Sequence, residues 1–217
     1  MSLKPEVQAD LAKLKLDPVA PLLIVDVDEV LAQFMRGFES FVFRHGYEMR
    51  IDKFALFQNV YEPGKTTPIT MEVGKPLFDA FFEHGIDDLL PSEGAAAALA
   101  SLSNRVSIVI LSNAPAHGRQ TRSTWLKRHG LDYPLILNRE AKGPAVRQLA
   151  SMTSGQKAFI DDLLPNLDSV ADHAPDVTTF QMIADPRLRP FAPVRPDRHV
   201  RHDDWLDLGP ALDAVLR

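Results

Sequence analysis

Hydrophobic positions along the chain fall into two rhythms: short unbroken aliphatic runs, and longer stretches where apolar residues recur at helix spacing. Leu22-Leu23-Ile24-Val25 is continuous rather than alternating, and so is Val106-Ser107-Ile108-Val109-Ile110-Leu111. Runs of this kind suit parallel strands buried on both faces. Leu135-Ile136-Leu137, Ala158-Phe159-Ile160 and residues 177–183 read the same way. Helical patterns stand between them at 94–103, 116–129, 144–152 and 164–173, and residues 205–216 give a short closing helix. Strands that alternate with helices predict an α/β fold, a doubly wound, Rossmann-like parallel sheet covered on both faces with right-handed crossovers.

One stretch breaks the rhythm. Between the first two strands lie about 80 residues without a convincing buried strand. Residues 30–45 carry Leu31, Phe34, Phe38, Phe41 and Val42 at helix spacing, residues 75–83 form a second helical pattern, and residues 61–68 are a turn-rich connector. Residues 32–91 are therefore expected to form a small helical insert over the end of the sheet, with residues 1–31 and 92–217 as the α/β core. Extra helices packed on the sheet's face are the alternative. The segment 185–204 is rich in Pro and Arg, but interspersed prolines and the lack of an aromatic stacking ladder predict a solvated loop wrapping the domain rather than a nucleic-acid arm.

Composition narrows the function classes. The 217 residues are 45% hydrophobic and 24% charged, a balance that argues against disorder, and a net charge of −5 does not advertise a polyanion-binding surface. Nucleic acid and membrane are therefore not expected partners, while a small anionic substrate remains compatible with a local metal or lysine. The absence of cysteine excludes disulfides, thiolate metal sites and cysteine nucleophiles. The first twenty residues lack the apolar core of a signal peptide, which makes a cytoplasmic location the expectation.

Candidate chemistry sits at the predicted strand ends, where open parallel sheets bind ligands. Asp26 and Asp28 follow the first strand; Asp28 could serve as a helix cap, but an acid that ends an apolar strand must meet a cation, water or donors. Ser112 and Asn113 follow the second, a hydroxyl and an amide before a helix start, suited either to capping or to phosphate oxygens. Asp161 and Asp162 follow a third run, and adjacent carboxylates invite a divalent cation. Lys142 stands just before a helix, within reach of an anionic ligand.

In this order the four strings resemble the motifs of the haloacid dehalogenase-like hydrolase superfamily, over residues 22–183. Asp26 and Asp28 match its D-x-D motif, Ser112 the second motif, Lys142 the third, and Asp161 with Asp162 the acidic fourth. The resemblance implies a phosphate-monoester hydrolase in which Asp26 is the nucleophile and becomes an aspartyl-phosphate, with Asp28 as general acid and base. It implies Mg²⁺ held by Asp26, the Asp28 backbone carbonyl, Asp161 and Asp162; an oxygen-only set suits that ion. Ser112, Lys142 and, in a supporting role, Asn113 would hold phosphoryl oxygens.

By the same resemblance the insert is a mobile cap, with Phe34, Arg36, Phe57, Lys65 and Lys75 as candidate selectors, although its aromatic residues fit cap core better. Residues 28–34 resemble the deoxyribonucleotidase branch, which makes a nucleoside monophosphate one expected substrate. Two positions depart from the family pattern: Glu29 stands where glycine is common, and Asn166 rather than an acid follows the fourth motif. Lys157 rivals Lys142 but precedes its strand. A phosphomutase or a non-catalytic binding protein remains the alternative, the latter kept open by Glu29.

Overall fold

The computed structural model describes residues 3–217. In chain order it contains α1 (Pro5–Leu11), β1 (Leu22–Val25), α2 (Phe34–Arg44), β2 (Glu48–Met49), β3 (Val60–Tyr61), α3 (Met71–His84), α4 (Ala95–Leu102) and β4 (Ser107–Ser112). It continues with α5 (Arg119–Arg128), β5 (Leu135–Leu137), α6 (Gly143–Ala150), β6 (Lys157–Asp161), α7 (Leu164–His173), β7 (Val177–Met182), β8 (Val200–His202) and α8 (Trp205–Val215). Six strands form one sheet in the order β5-β4-β1-β6-β7-β8, every neighbouring pair parallel.

That order fixes where a ligand can sit. The chain builds outward from β1 to β4 and β5, then crosses back to β6 and builds the other way. The crevice opens where the winding reverses, at the carboxyl ends of β1 and β6.

The continuous aliphatic runs are explained by burial on both faces. Leu23, Val25, Ile108, Ile110, Ala158 and Ile160 point to the side covered by α4, α5, α8 and the insert. Leu22, Ile24, Val109, Leu111 and Phe159 point to the side covered by α1, α6 and α7. Strand side chains alternate between faces, so a strand with no wet face reads as an unbroken run.

The segment between β1 and β4 is not purely helical. β2 and β3 pair as a two-residue antiparallel hairpin, Glu48 opposite Tyr61 and Met49 opposite Val60, too short to leave an alternating signature. α3 begins at Met71, well before the apolar pattern at 75–83, although it contains Gly74 and Pro76. Packing outweighs propensity here: the Phe57 ring lies where a side chain at position 74 would go, 2.6 Å from its Cβ. Phe34, Phe38 and Phe41 of α2 and Phe78, Phe81 and Phe82 of α3 form one cluster, with Phe34 and Phe81 rings 5.3 Å apart edge to face and Phe78 and Phe82 at 4.8 Å. This cluster is continuous with the sheet's core through Trp125 and Leu126 on α5, and the Trp125 indole N–H donates to the Leu89 carbonyl at 2.7 Å.

The Pro/Arg-rich segment does wrap the domain, with an addition. Residues 200–202 join the sheet edge as β8, a polar and partly exposed strand of the kind that blunts an edge. Its arginines are spent inside the molecule: Arg187 on Asp185 and Glu39, Arg195 and Arg198 on Asp168, Arg201 on Asp203. Arg189 donates to the Ile183 and Ala184 carbonyls. Among the described residues, no helix is long and apolar enough to cross a membrane.

The start of α6 is held to α7 by close backbone approach. A Cβ on Gly143 would stand 2.2 Å from the Ser169 carbonyl oxygen. Gly143→Ala is expected to lower the unfolding free energy by about 1–3 kcal/mol in urea titrations; an unchanged midpoint would show that α6 and α7 can separate freely.

Candidate active site

Two strand ends deliver the acids and a helix start delivers the lysine. Asp26 leaves β1 with its amide bound to the Ile160 carbonyl at 3.0 Å, which locks it beside the end of β6. Asp161 ends β6, and Asp162 follows. Carboxylate oxygens of Asp26, Asp161 and Asp162 lie within 4.8 Å of one another, and all three residues are buried. Lys142, 1% exposed, lies between two of them, its ammonium 2.5 Å from Asp26 Oδ1 and 2.6 Å from Asp161 Oδ2. The arrangement places Lys142, Asp26, Asp161 and Asp162 together. Lys157 is elsewhere, at the start of β6 and paired with Asp176.

Asn166 has a clear role here. Its side-chain amide donates to both oxygens of Asp161, at 3.0 and 3.2 Å, and the Leu163 amide donates to Oδ1 at 2.9 Å. The position that departs from an acid thus orients one.

Electrostatics at the cluster are unbalanced. Burial, partly offset by Lys142, and the neighbouring Asp161 and Asp28 push the Asp26 carboxyl up to about 7. Asp162 is raised well above the carboxylate range by burial, with Asp161, Asp26 and Glu29 adding to it. Burial works to lower Lys142, but Asp161 and Asp26 outweigh it and raise the ammonium above its ordinary range. One ammonium does not neutralise three carboxyls. A divalent cation would, and an all-oxygen donor set fits a hard ion such as Mg²⁺.

Asp28 stands apart from this cluster. Its carboxylate does not converge with the other three; Oδ1 accepts from Arg122 Nη2 at 2.6 Å. Arg122, on α5, is fully buried with its guanidinium 5.0 Å over the Phe82 ring. Its Nε and Nη1 have no partner among the described residues. The sequence signal for Arg122 was an arginine on the apolar face of α5, three and four residues before Trp125 and Leu126.

Ser112 and Asn113 part company. Ser112 is fully buried, its hydroxyl accepts from the Ala114 amide at 3.2 Å, and it is not among the residues lining the cavity. Asn113 lines it, held by Asn138 Nδ2 at 3.0 Å and by its own bond to the Glu140 carbonyl.

Glu29 adopts a left-handed backbone, φ 58°, which explains why glycine suits this position. Its carboxylate accepts from the Met35 amide at 2.6 Å and the Asp185 amide at 2.8 Å, tying the β1 loop to the start of α2 and to the segment after β7. Burial, opposed by those two amides, raises its carboxyl to about 7. Asp185 itself is held below the carboxylate range: burial opposes this, but Arg187 prevails.

Of the expected selectors, Phe34 lines the cavity and Phe57 packs in the aromatic cluster. Arg36 lies 3.8 Å from Asp185, Lys75 pairs with Asp79, and Lys65 is exposed.

No protein-family model and no curated protein sequence matches the chain. Solved structures do. A haloacid dehalogenase-like protein from Agrobacterium tumefaciens is 16% identical over 90% of this chain and 99% of its own, with a TM-score of 0.58. A haloacid dehalogenase-like hydrolase from Streptococcus pneumoniae gives 11% identity over 90% and 99%, also at 0.58. The phospho-aspartyl intermediate analogue of a phosphoserine phosphatase gives 16% over 90% and 99%, at 0.52. The chain therefore has the fold of haloacid dehalogenase-like hydrolases.

Two outcomes follow from the geometry. Removing the Glu29 side chain relieves a left-handed residue, about 1–2 kcal/mol, but strands two buried amides at about 1–3 kcal/mol each. Glu29→Gly should therefore lose on the order of 2 kcal/mol in urea unfolding, and a stabilised variant would refute the tie. Asp26 and Glu29 lie near 7 when folded against ordinary values of 3.8 and 4.5. In that window the folded state binds more protons, so without divalent cation stability falls as pH rises from about 4.5 to about 7. A cation needs ionised ligands, so Mg²⁺ should raise Tm more at about pH 8 than at about pH 5.5; equal shifts would count against a site at Asp26.

Proposed function

We propose that this chain is a phosphate-monoester hydrolase of the haloacid dehalogenase-like superfamily that forms an aspartyl-phosphate on Asp26, with residues 32–91 acting as its cap. The observation that carries this reading is the convergence of Asp26, Asp161 and Asp162 with Lys142 at the switch point of the sheet. The fold adds weight by analogy, and the site carries the chemistry.

A divalent cation held by Asp26, Asp161 and Asp162 would cancel the repulsion between carboxylate and phosphate dianion and favour ionised Asp26. Lys142 binds Asp26 Oδ1, an oxygen whose second lone pair would face the cation, which leaves Oδ2 to attack phosphorus. The P–O bond to the organic group breaks, and the departing alkoxide takes a proton from Asp28. Water then attacks the aspartyl-phosphate, Asp28 accepts its proton, and the P–O bond to Asp26 breaks to release phosphate. Asp28 lines the same cavity but is paired with Arg122, so its acid–base work requires that pair to open. Lys142 would hold Asp26 in place, and Asn113, which lines the cavity, would contact phosphoryl oxygens.

Binding without turnover drew its support from Glu29 as an extra acid at the metal site. Both Glu29 oxygens are occupied by backbone amides, which favours turnover. Asp26→Asn should lower hydrolysis of every accepted monoester by roughly 10³-fold or more, and chelation of divalent cations should abolish it. Turnover by the variant at the wild-type rate, or turnover indifferent to chelator, would refute the reading.

A further inference from the structure

The hollow above Asp26 is polar at one end and apolar elsewhere. Its volume is about 220 Å³. The ends of β1 and β6 contribute Asp26 and Asp162 and the start of α6 contributes Lys142; Phe34, Met35, Phe54, Leu56 and Phe78 from the insert, with Leu188 from the segment after β7, provide apolar walls. Lys142 is the one cationic side chain lining it among the described residues, and both Asp26 and Asp161 already claim it. A carboxylate or second phosphate on the organic group of a substrate would enter without a partner, which is costly in an apolar site.

Size points the same way. Pockets for drug-sized ligands run to about 300–1,000 Å³, and an apolar cavity of about 150 Å³ holds a benzene ring. This half-open hollow of about 220 Å³ encloses a phosphoryl group and about one ring. Beyond it lies a second hollow of about 270 Å³ carrying Lys75 and Arg139, and Leu56, Phe78 and Asn113 line both. These shared residues act as a partition. Three phenylalanines, Phe34, Phe54 and Phe78, offer ring edges and faces of the kind aromatic groups pack against.

Resting on the hydrolase reading above, we propose that the substrate is a small phosphate monoester whose organic group is uncharged and apolar, best filled by a single aromatic ring. Sugar phosphates, phosphoamino acids and nucleotides are then disfavoured by polarity, charge or size.

The test compares kcat/KM of the Mg²⁺-loaded protein on benzyl phosphate, glycerol 3-phosphate, O-phosphoserine and a nucleoside 5′-monophosphate, all esters of primary alcohols. In parallel, calorimetry compares binding of benzylphosphonate and 2-aminoethylphosphonate, which cannot be hydrolysed at an ester bond. Benzyl phosphate should be preferred by at least about 10-fold, the scale of discrimination by apolar contact. Preference for any of the other three would overturn the inference and leave the hydrolase reading standing. No turnover of any ester, with benzylphosphonate still bound more tightly, would overturn the hydrolase reading and support the apolar pocket. No turnover of any ester together with no preference for benzylphosphonate would overturn both.

Two variants add independent readouts. Leu56→Lys should reduce the benzyl phosphate to O-phosphoserine ratio by about 10-fold, by supplying the missing cation. Phe78→Ala should open the partition and raise the relative kcat/KM of the nucleoside monophosphate. Ratios unchanged in both folded variants would contradict the assignment of the walls.

Discussion

The ammonium of Lys142 is buried between two carboxylates, Asp26 at 2.5 Å and Asp161 at 2.6 Å, and much of the core is arranged to keep it there. Breaking such a pair by removing one partner typically costs about 3–5 kcal/mol, because the other charge stays buried. Lys142 reaches the pair because α6 begins immediately after it, and α6 sits where it does because Gly143 lets α7 approach. Asn166 and the Leu163 amide, at the start of α7, hold Asp161 from the other side. The pairing of β1 with β6 brings the two acids side by side. Asp162 joins the same hollow with no cation of its own, and burial beside Asp161 and Asp26 opposes its ionisation. A divalent cation at the triad would relieve that opposition.

A second set of ties connects this cluster to the insert. Glu29 binds the amide of Met35 near the start of α2, and Asp28 binds Arg122 against Phe82 of α3. Asp28 and Glu29, in the loop after β1, are therefore tied to the two helices that line the hollow. Movement of either helix would alter the reach of Asp28 before it altered Asp26. Under the proposed mechanism, the position of Asp28 as general acid would be physically linked to that of these two helices.

The sheet and its acids were legible because their signals are local. A strand buried on both faces must be an unbroken aliphatic run, as 22–25 and 108–111 are, and an acid at its end has few uses outside a site. What stayed hidden depends on tertiary contact. The β2–β3 hairpin is two residues long on each strand, β8 is a polar edge, and α3 extends through Gly74 and Pro76 because Phe57 packs there. Glu29 read as an intruding acid, and only its two amide partners reveal a structural tie. Arg122 works through Asp28, 94 residues earlier in the chain, and Asn166 through Asp161, so neither role is visible in local pattern.

The claim on which the account turns is that Asp26 forms a bond to phosphorus. Quenching the protein during turnover of a monoester, then reducing with borohydride, converts an acyl phosphate at an aspartate into homoserine. Peptide mass spectrometry should find that conversion at position 26 and nowhere else. Product formation with residue 26 left intact, or conversion confined to Asp28, Asp161 or Asp162, would contradict it.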